Sequence, residues 1–258
     1  MRTLSPSEWN KYKNILVRLS ETAADEFRDA VWKASGYFGG VGLGNIPAND
    51  LIKYAYALVT KYGEASATVA AEMYDEIAAL SGVAVPLAIP AETASYSEVA
   101  KTVNGVLDVS QNEKMLGGAV GRLVKQAAAD TTLQNAKRDG AEAAWVTVGD
   151  TCAFCVALAS QGWQRVSSKT MRDGHAEHIH ANCDCEYVVR FDSSGGVAGY
   201  NPSRYQKMYY GADGNTPKER INAMRREMYA KNKDEINAQK REAYALREEV
   251  KEDDEYSS

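Results

Sequence analysis

Apolar residues recur at three-to-four-residue intervals over most of the first 140 positions. Trp9, Tyr12, Leu16, Leu19 and Ala23, continued by Phe27, Ala30, Val31 and Ala34, predict one long amphipathic helix. Ser5-Pro6-Ser7-Glu8 marks its start: a hydroxyl to cap, a proline for the first turn, and an acid at the capping-box position. Gly36 predicts the stop, and Gly39, Gly40, Gly42 and Gly44 a loop. A second helix is expected from Asp50 to about Leu80, kinked at Gly63, with Ala65, Ala67, Ala70 and Ala71 allowing close packing. Gly82 to Pro90 reads as a stiff apolar linker holding Pro86 and Pro90. A third helix is expected over Ser95 to Leu107, and a fourth over Ser110 to Arg138 with Gly117, Gly118 and Gly121 inside it. Residues 1–139 thus read as a helical domain, a bundle or an elongated array.

At Gly140 the pattern changes. Trp145-Val146-Thr147-Val148 is a short β-like run that ends at Gly149-Asp150. Ala153 to Ser160 suits one short helix stopped by Gly162. Trp163 to Val166 and Glu186 to Phe191 suit two further strands, and Gly195, Gly196 and Gly199 a loop. Residues 140–210 are therefore expected to form a small α+β unit. From Pro217 to Lys251 the chain is helical again, with ten Lys/Arg against seven Asp/Glu and a thin apolar stripe of Ile221, Met224 and Met228. Residues 211–258 read as a helical arm, and Glu252 to Glu255 as a disordered acidic tail. The expected fold class is mainly α: long N-terminal helices, a small zinc-stapled α+β unit, and a C-terminal helix.

Composition narrows the function classes. A hydrophobic share of 45% and a charged share of 25% are those of a globular protein. The net charge of −5 argues against nucleic-acid binding through bulk charge, though it leaves room for a local basic patch. The mixed charges of the C-terminal helix point to a docked, salt-bridged protein interface rather than to a membrane or a DNA track. No apolar run is long enough to span a bilayer. The polar start, Met1 to Tyr12, lacks the apolar core of a secretory signal. The protein is expected in the cytoplasm where it is made, with its thiols reduced.

All four cysteines and all three histidines lie between Cys152 and Cys185. Cys152-x-x-Cys155 places two thiolates on one tight turn. His180-x-x-Cys183 repeats that spacing with an imidazole, and Cys183-x-Cys185 puts two thiolates on one side of an extended segment. Soft thiolates with an imidazole favour Zn²⁺ in a tetrahedral structural site. Five donors compete for four places: four thiolates with His180 behind them, or three thiolates with His180. The sequence leaves both sets open. A disulfide is disfavoured by a reducing compartment, and unliganded buried cysteines are the remaining alternative.

Catalysis has weaker support. His175-Ala176-Glu177 resembles the H-x-E of zinc deaminases, but there a Pro-Cys-x-x-Cys follows, whereas here the Cys-x-x-Cys precedes. A metal-dependent nuclease or toxin-like effector would draw on Asp173, His175, Glu177 and His178, which share a short polar stretch. No nucleophile–base relay is recognisable, so no catalytic residue is assigned.

The run Trp145-Val146-Thr147-Val148-Gly149-Asp150-Thr151-Cys152-Ala153-Phe154-Cys155, then Gly162, then His180-Ala181-Asn182-Cys183-Asp184-Cys185, resembles the Mu F-like minor head proteins of tailed bacteriophages. Gly199-Tyr200-Asn201-Pro202 with Tyr205 and Tyr209 extends the likeness, which covers about residues 140 to 210. Ala181 stands where that family usually has Pro, and Asp184 where it usually has Arg. The resemblance implies a minor capsid component inside the head or at the portal vertex. It would act in head assembly or in DNA packaging and ejection, with the portal and other head proteins as partners and packaged DNA nearby. Neither a membrane nor a small-molecule substrate is implied.

Overall fold

The computed structural model describes residues 4–34, 46–109, 113–147, 151–167, 185–193, 195–197 and 200–255; the side chains of 235, 236 and 239–255 lie outside that description. Among the described residues the fold is mainly α, with seven helices and one three-stranded sheet. The helices are α1 (Pro6–Ala34), α2 (Ala48–Ser81), α3 (Tyr96–Leu107), α4 (Glu113–Asp139), α5 (Ala153–Ala159), α6 (Pro202–Gly211) and α7 (Pro217–Glu255). The strands are β1 (Glu142–Val146), β2 (Gln164–Arg165) and β3 (Glu186–Arg190). No described helix is long and apolar enough to cross a membrane.

The chain forms two compact units. The larger holds Met1–Thr151 and Gln161–Asn201, the smaller Cys152–Ser160 and Pro202–Ser258. This grouping is not the sequential one read from the pattern. The sheet joins the N-terminal helices, while α5 joins the two C-terminal helices.

Helix boundaries follow cap chemistry. Ser5 and Glu8 close the expected capping box: the Ser5 N–H donates to Glu8 Oε2 at 2.8 Å, and the Glu8 N–H to Ser5 Oγ at 3.3 Å. Ser95 and Glu98 repeat it at the start of α3. α2 ends at Gly82, whose φ of 68° is left-handed, where a side chain would be strained. The stop expected at Gly36 and the glycine loop to Gly44 lie outside the described residues. The expected kink at Gly63 gives way to a helix that continues through it; a Cβ there would stand 2.8 Å from the Thr93 methyl. The acidic tail, expected to be disordered, instead continues α7 to Glu255.

In the larger unit α1, α2, α3 and α4 bury one core: Phe27 and Val31, Ile52, Leu58 and Val59, Val99 and Val103, and Leu116, Val120, Leu123 and Val124. Buried Ala67, Ala70 and Ala71 bring α2 close to its neighbours. α1 and α4 meet at backbone distance. A Cβ on Gly121 would lie 2.8 Å from the Ser20 carbonyl oxygen, and one on Gly117 2.8 Å from that of Ala24.

The segment after α2 is extended and strapped down by side chains. The Ala88 N–H donates to Asp75 Oδ1 at 2.8 Å. The Ile89 N–H donates to Asn135 Oδ1 at 3.0 Å, and Asn135 Nδ2 returns a bond to the Ile89 carbonyl at 2.9 Å. The Ala91 N–H donates to Thr131 Oγ1, and Arg138 donates to the carbonyls of Pro86 and Leu87. These bonds meet the backbone's demand for partners where no strand lies alongside.

In the sheet, β1 is central and antiparallel to both neighbours, in the order β2-β1-β3. Trp145 faces Tyr187 across β1 and β3, their rings edge-to-face at 4.7 Å. In the smaller unit, Ala153, Val156 and Met224 form a core with Tyr205, Tyr209, Ile221 and Met228 packed on it.

The α1–α4 contact should tolerate no added carbon. Gly121→Val is expected to lower the thermal midpoint, overpacking costing about 1–3 kcal/mol. Gly105→Ala in α3, where a Cβ would meet nothing within 4 Å, should leave the midpoint unchanged or raise it. Thermal melts of the two variants read out the difference.

Candidate metal centre

Cys152 and Cys155 open α5. Cys152 is its N-cap, with extended backbone, and its Sγ accepts the Cys155 N–H at 3.4 Å. Cys152 is exposed and Cys155 buried. The position of the pair is set by its neighbours, because Ala153 and Val156, each next to one of the cysteines in the chain, are packed in the core of the smaller unit. The structure therefore places these two predicted donors on the first turn of one helix, joined by a hydrogen bond.

Cys185 belongs to the larger unit. It is 3% exposed and leads directly into β3. The next residue, Glu186, is buried and meets Lys125 of α4, with Nζ 3.4 Å from Oε1 and side-chain exposures of 2% and 3%. This ion pair fixes where β3 starts, and with it the backbone that carries Cys185. Sequence reasoning missed it. A lysine in a helix reads as a surface residue; the one available signal was its setting, between Val124 and the small run Ala127-Ala128-Ala129.

His180 and Cys183, the other two predicted donors, lie outside the described residues. So do Asp173, His175, Glu177 and His178, on which a nuclease or deaminase reading would rest. Among the described residues no group of three or more His, Cys, Asp or Glu is placed to hold a metal.

A second polar cluster ends α4. The Tyr74 hydroxyl donates to Asp139 Oδ2 at 2.8 Å, and Arg138 Nε stands 2.7 Å from Asp139 Oδ1. The Arg138 hydrogen bonds, with that of Tyr74, hold the Asp139 carboxyl below the ordinary range. Burial and the bond to Asp139 push the Tyr74 phenol up, so it stays protonated. Every charge here is matched within the cluster, which suits anchorage of the chain rather than chemistry on a ligand.

Compared with known proteins, the chain matches one family model, described as VG15 protein, over residues 3–212. No curated protein and no solved structure matches it.

The buried pair yields a mutational test. Lys125→Met removes a cation from a buried carboxylate and is expected to cost about 3–5 kcal/mol. Adding Glu186→Leu should recover most of that loss, because the uncompensated charge goes too. Denaturant titrations of the single and double variants check the order.

Proposed function

The chain belongs to the VG15 protein family, a family of phage proteins, and on that premise we propose that it is a structural minor head protein, docking on the portal or neighbouring head proteins through its helical bundle. The observation that carries the reading is the apolar surface the bundle leaves in water. Trp32 is 53% exposed, Leu87 78% and Ile89 66%, and Tyr54, Tyr56 and Tyr96 are also exposed. Aromatic anchors presented on rigid elements are what protein interfaces use. Leu87 and Ile89 project from the strapped segment, so little ordering entropy is left to lose on docking.

The run from Trp145 to Cys185 supports a head protein through its likeness to the Mu F-like group. A structural Zn²⁺, held by four of Cys152, Cys155, His180, Cys183 and Cys185, belongs to the same proposal, as does a place in the virion, in the capsid interior or at the portal vertex. The zinc would add folding energy where little apolar core is available. No catalytic step is assigned to any residue.

Two measurements test this. Purified full-length protein is expected to carry about one zinc per chain; less than about a tenth of an equivalent, in folded protein, removes the metal from the proposal. Tagged full-length protein should retain the portal protein of the same phage, and Leu87→Asp with Ile89→Asp should weaken retention at least about tenfold. Binding to neither portal nor capsid protein overturns the docking role.

A further inference from the structure

The charge on α7 is mixed in sequence but sorted in space. A helix advances about 100° per residue. On that period Lys218, Asn222, Arg226, Tyr229 and Lys233 share the side opposite Met224, which is 3% exposed in the core of the smaller unit, and Arg225 lies at the margin of that side. Lys218, Arg225, Arg226, Tyr229 and Lys233 are all exposed. Two of the three acids of this stretch lie elsewhere. Glu227 pairs with Lys231 at 2.9 Å, and Asp234 falls on the flank. Glu219 falls within the face, beside Arg226 on the same period, but its carboxylate is taken up by the N–H groups of Asn215 and Thr216 at the helix cap. Among the described residues, Lys218, Arg225, Arg226 and Lys233 have no ion-pair partner.

The pattern continues along the helical backbone to its end. The same period carries positions 240, 247 and 251, all Lys or Arg, onto this face. From Lys218 to Asp234, four of the six Lys/Arg belong to this face, against one of the three Asp/Glu, Glu219. Arg226, Lys233, Lys240 and Arg247 recur at intervals of seven residues, a repeat of about 10.5 Å on a straight helix.

We infer that this face of α7 binds the sugar–phosphate backbone of duplex DNA without reading its sequence. Three features select that partner. The polar groups on the face (guanidinium, ammonium, amide and phenol) can all donate to phosphate oxygens. The described cations form a line roughly 22 Å long from Lys218 to Lys233, which suits a rod of uniform negative charge better than a compact acidic patch. A bilayer would require an apolar sector beside the basic one, and the stripe Ile221, Met224 and Met228 is already packed within the smaller unit. The net charge of −5 conceals the face because the acids are spread over the rest of the surface. This inference is independent of the docking role proposed for the bundle.

The test uses full-length protein and a labelled mixed-sequence duplex of about 30 base pairs, followed by fluorescence anisotropy from about 50 to 200 mM salt. Binding should weaken steeply with salt. Arg225→Gln with Arg226→Gln and Lys233→Gln should lower affinity at least about tenfold and flatten the log–log salt slope by about 2–3, one phosphate contact per cation removed. Lys231→Gln, on another side of the same helix, should change neither, and circular dichroism should show all variants equally helical. Three results would overturn the inference: no duplex binding at the lowest salt, a triple variant that binds like the parent, or polyglutamate or anionic lipid vesicles captured by this face in preference to DNA.

Discussion

The larger unit depends on burying α4 along nearly its whole length. From Leu116 to Ala136 it meets α1, α2, α3 and the sheet. A helix so enclosed needs small residues where backbones cross and partners for each polar group it takes inside. Gly117 and Gly121 supply the first against α1. Thr131 and Asn135 meet the second by bonding both their own helix and the extended segment beside it. Lys125 meets it through Glu186. The core of the bundle, the path of the chain after α2 and the start of β3 are all set from this one helix.

What was legible in the sequence was local. Ser5 with Glu8, Ser95 with Glu98, and Gly82 set helix ends through atoms a few residues apart, and their spacing alone announces them. The short helix that Cys152 opens was legible for the same reason, since its cap lies within one turn. The role of Gly63, by contrast, depends on Thr93 across the bundle, so a kink was expected where a packing contact was needed. The Lys125–Glu186 pair joins residues far apart in sequence, which no periodicity reveals. α6 has no clear apolar period in the sequence, and Pro202, as its first residue, is its one local signal. His180 and Cys183 lie outside the described residues, so the full donor set rests on spacing.

The two units spend their surfaces differently. The bundle leaves aromatic and aliphatic groups exposed, a surface suited to another protein. The outer side of α7 leaves cations, a surface suited to a polyanion. The modest overall charge is the sum of surfaces with opposite requirements.

The strap between α2 and α3 has a consequence for sequence change. Connections between helices usually accept insertions, because water meets whatever backbone bonds are displaced. Here Asp75, Thr131, Asn135 and Arg138 each hold a particular peptide group between Pro86 and Ala91. One residue inserted among them would put each later anchor out of register with its partner, as a slip does in a paired strand. This loop therefore has the length constraint of a β-strand without being one, and length variation should collect at the chain's other connections.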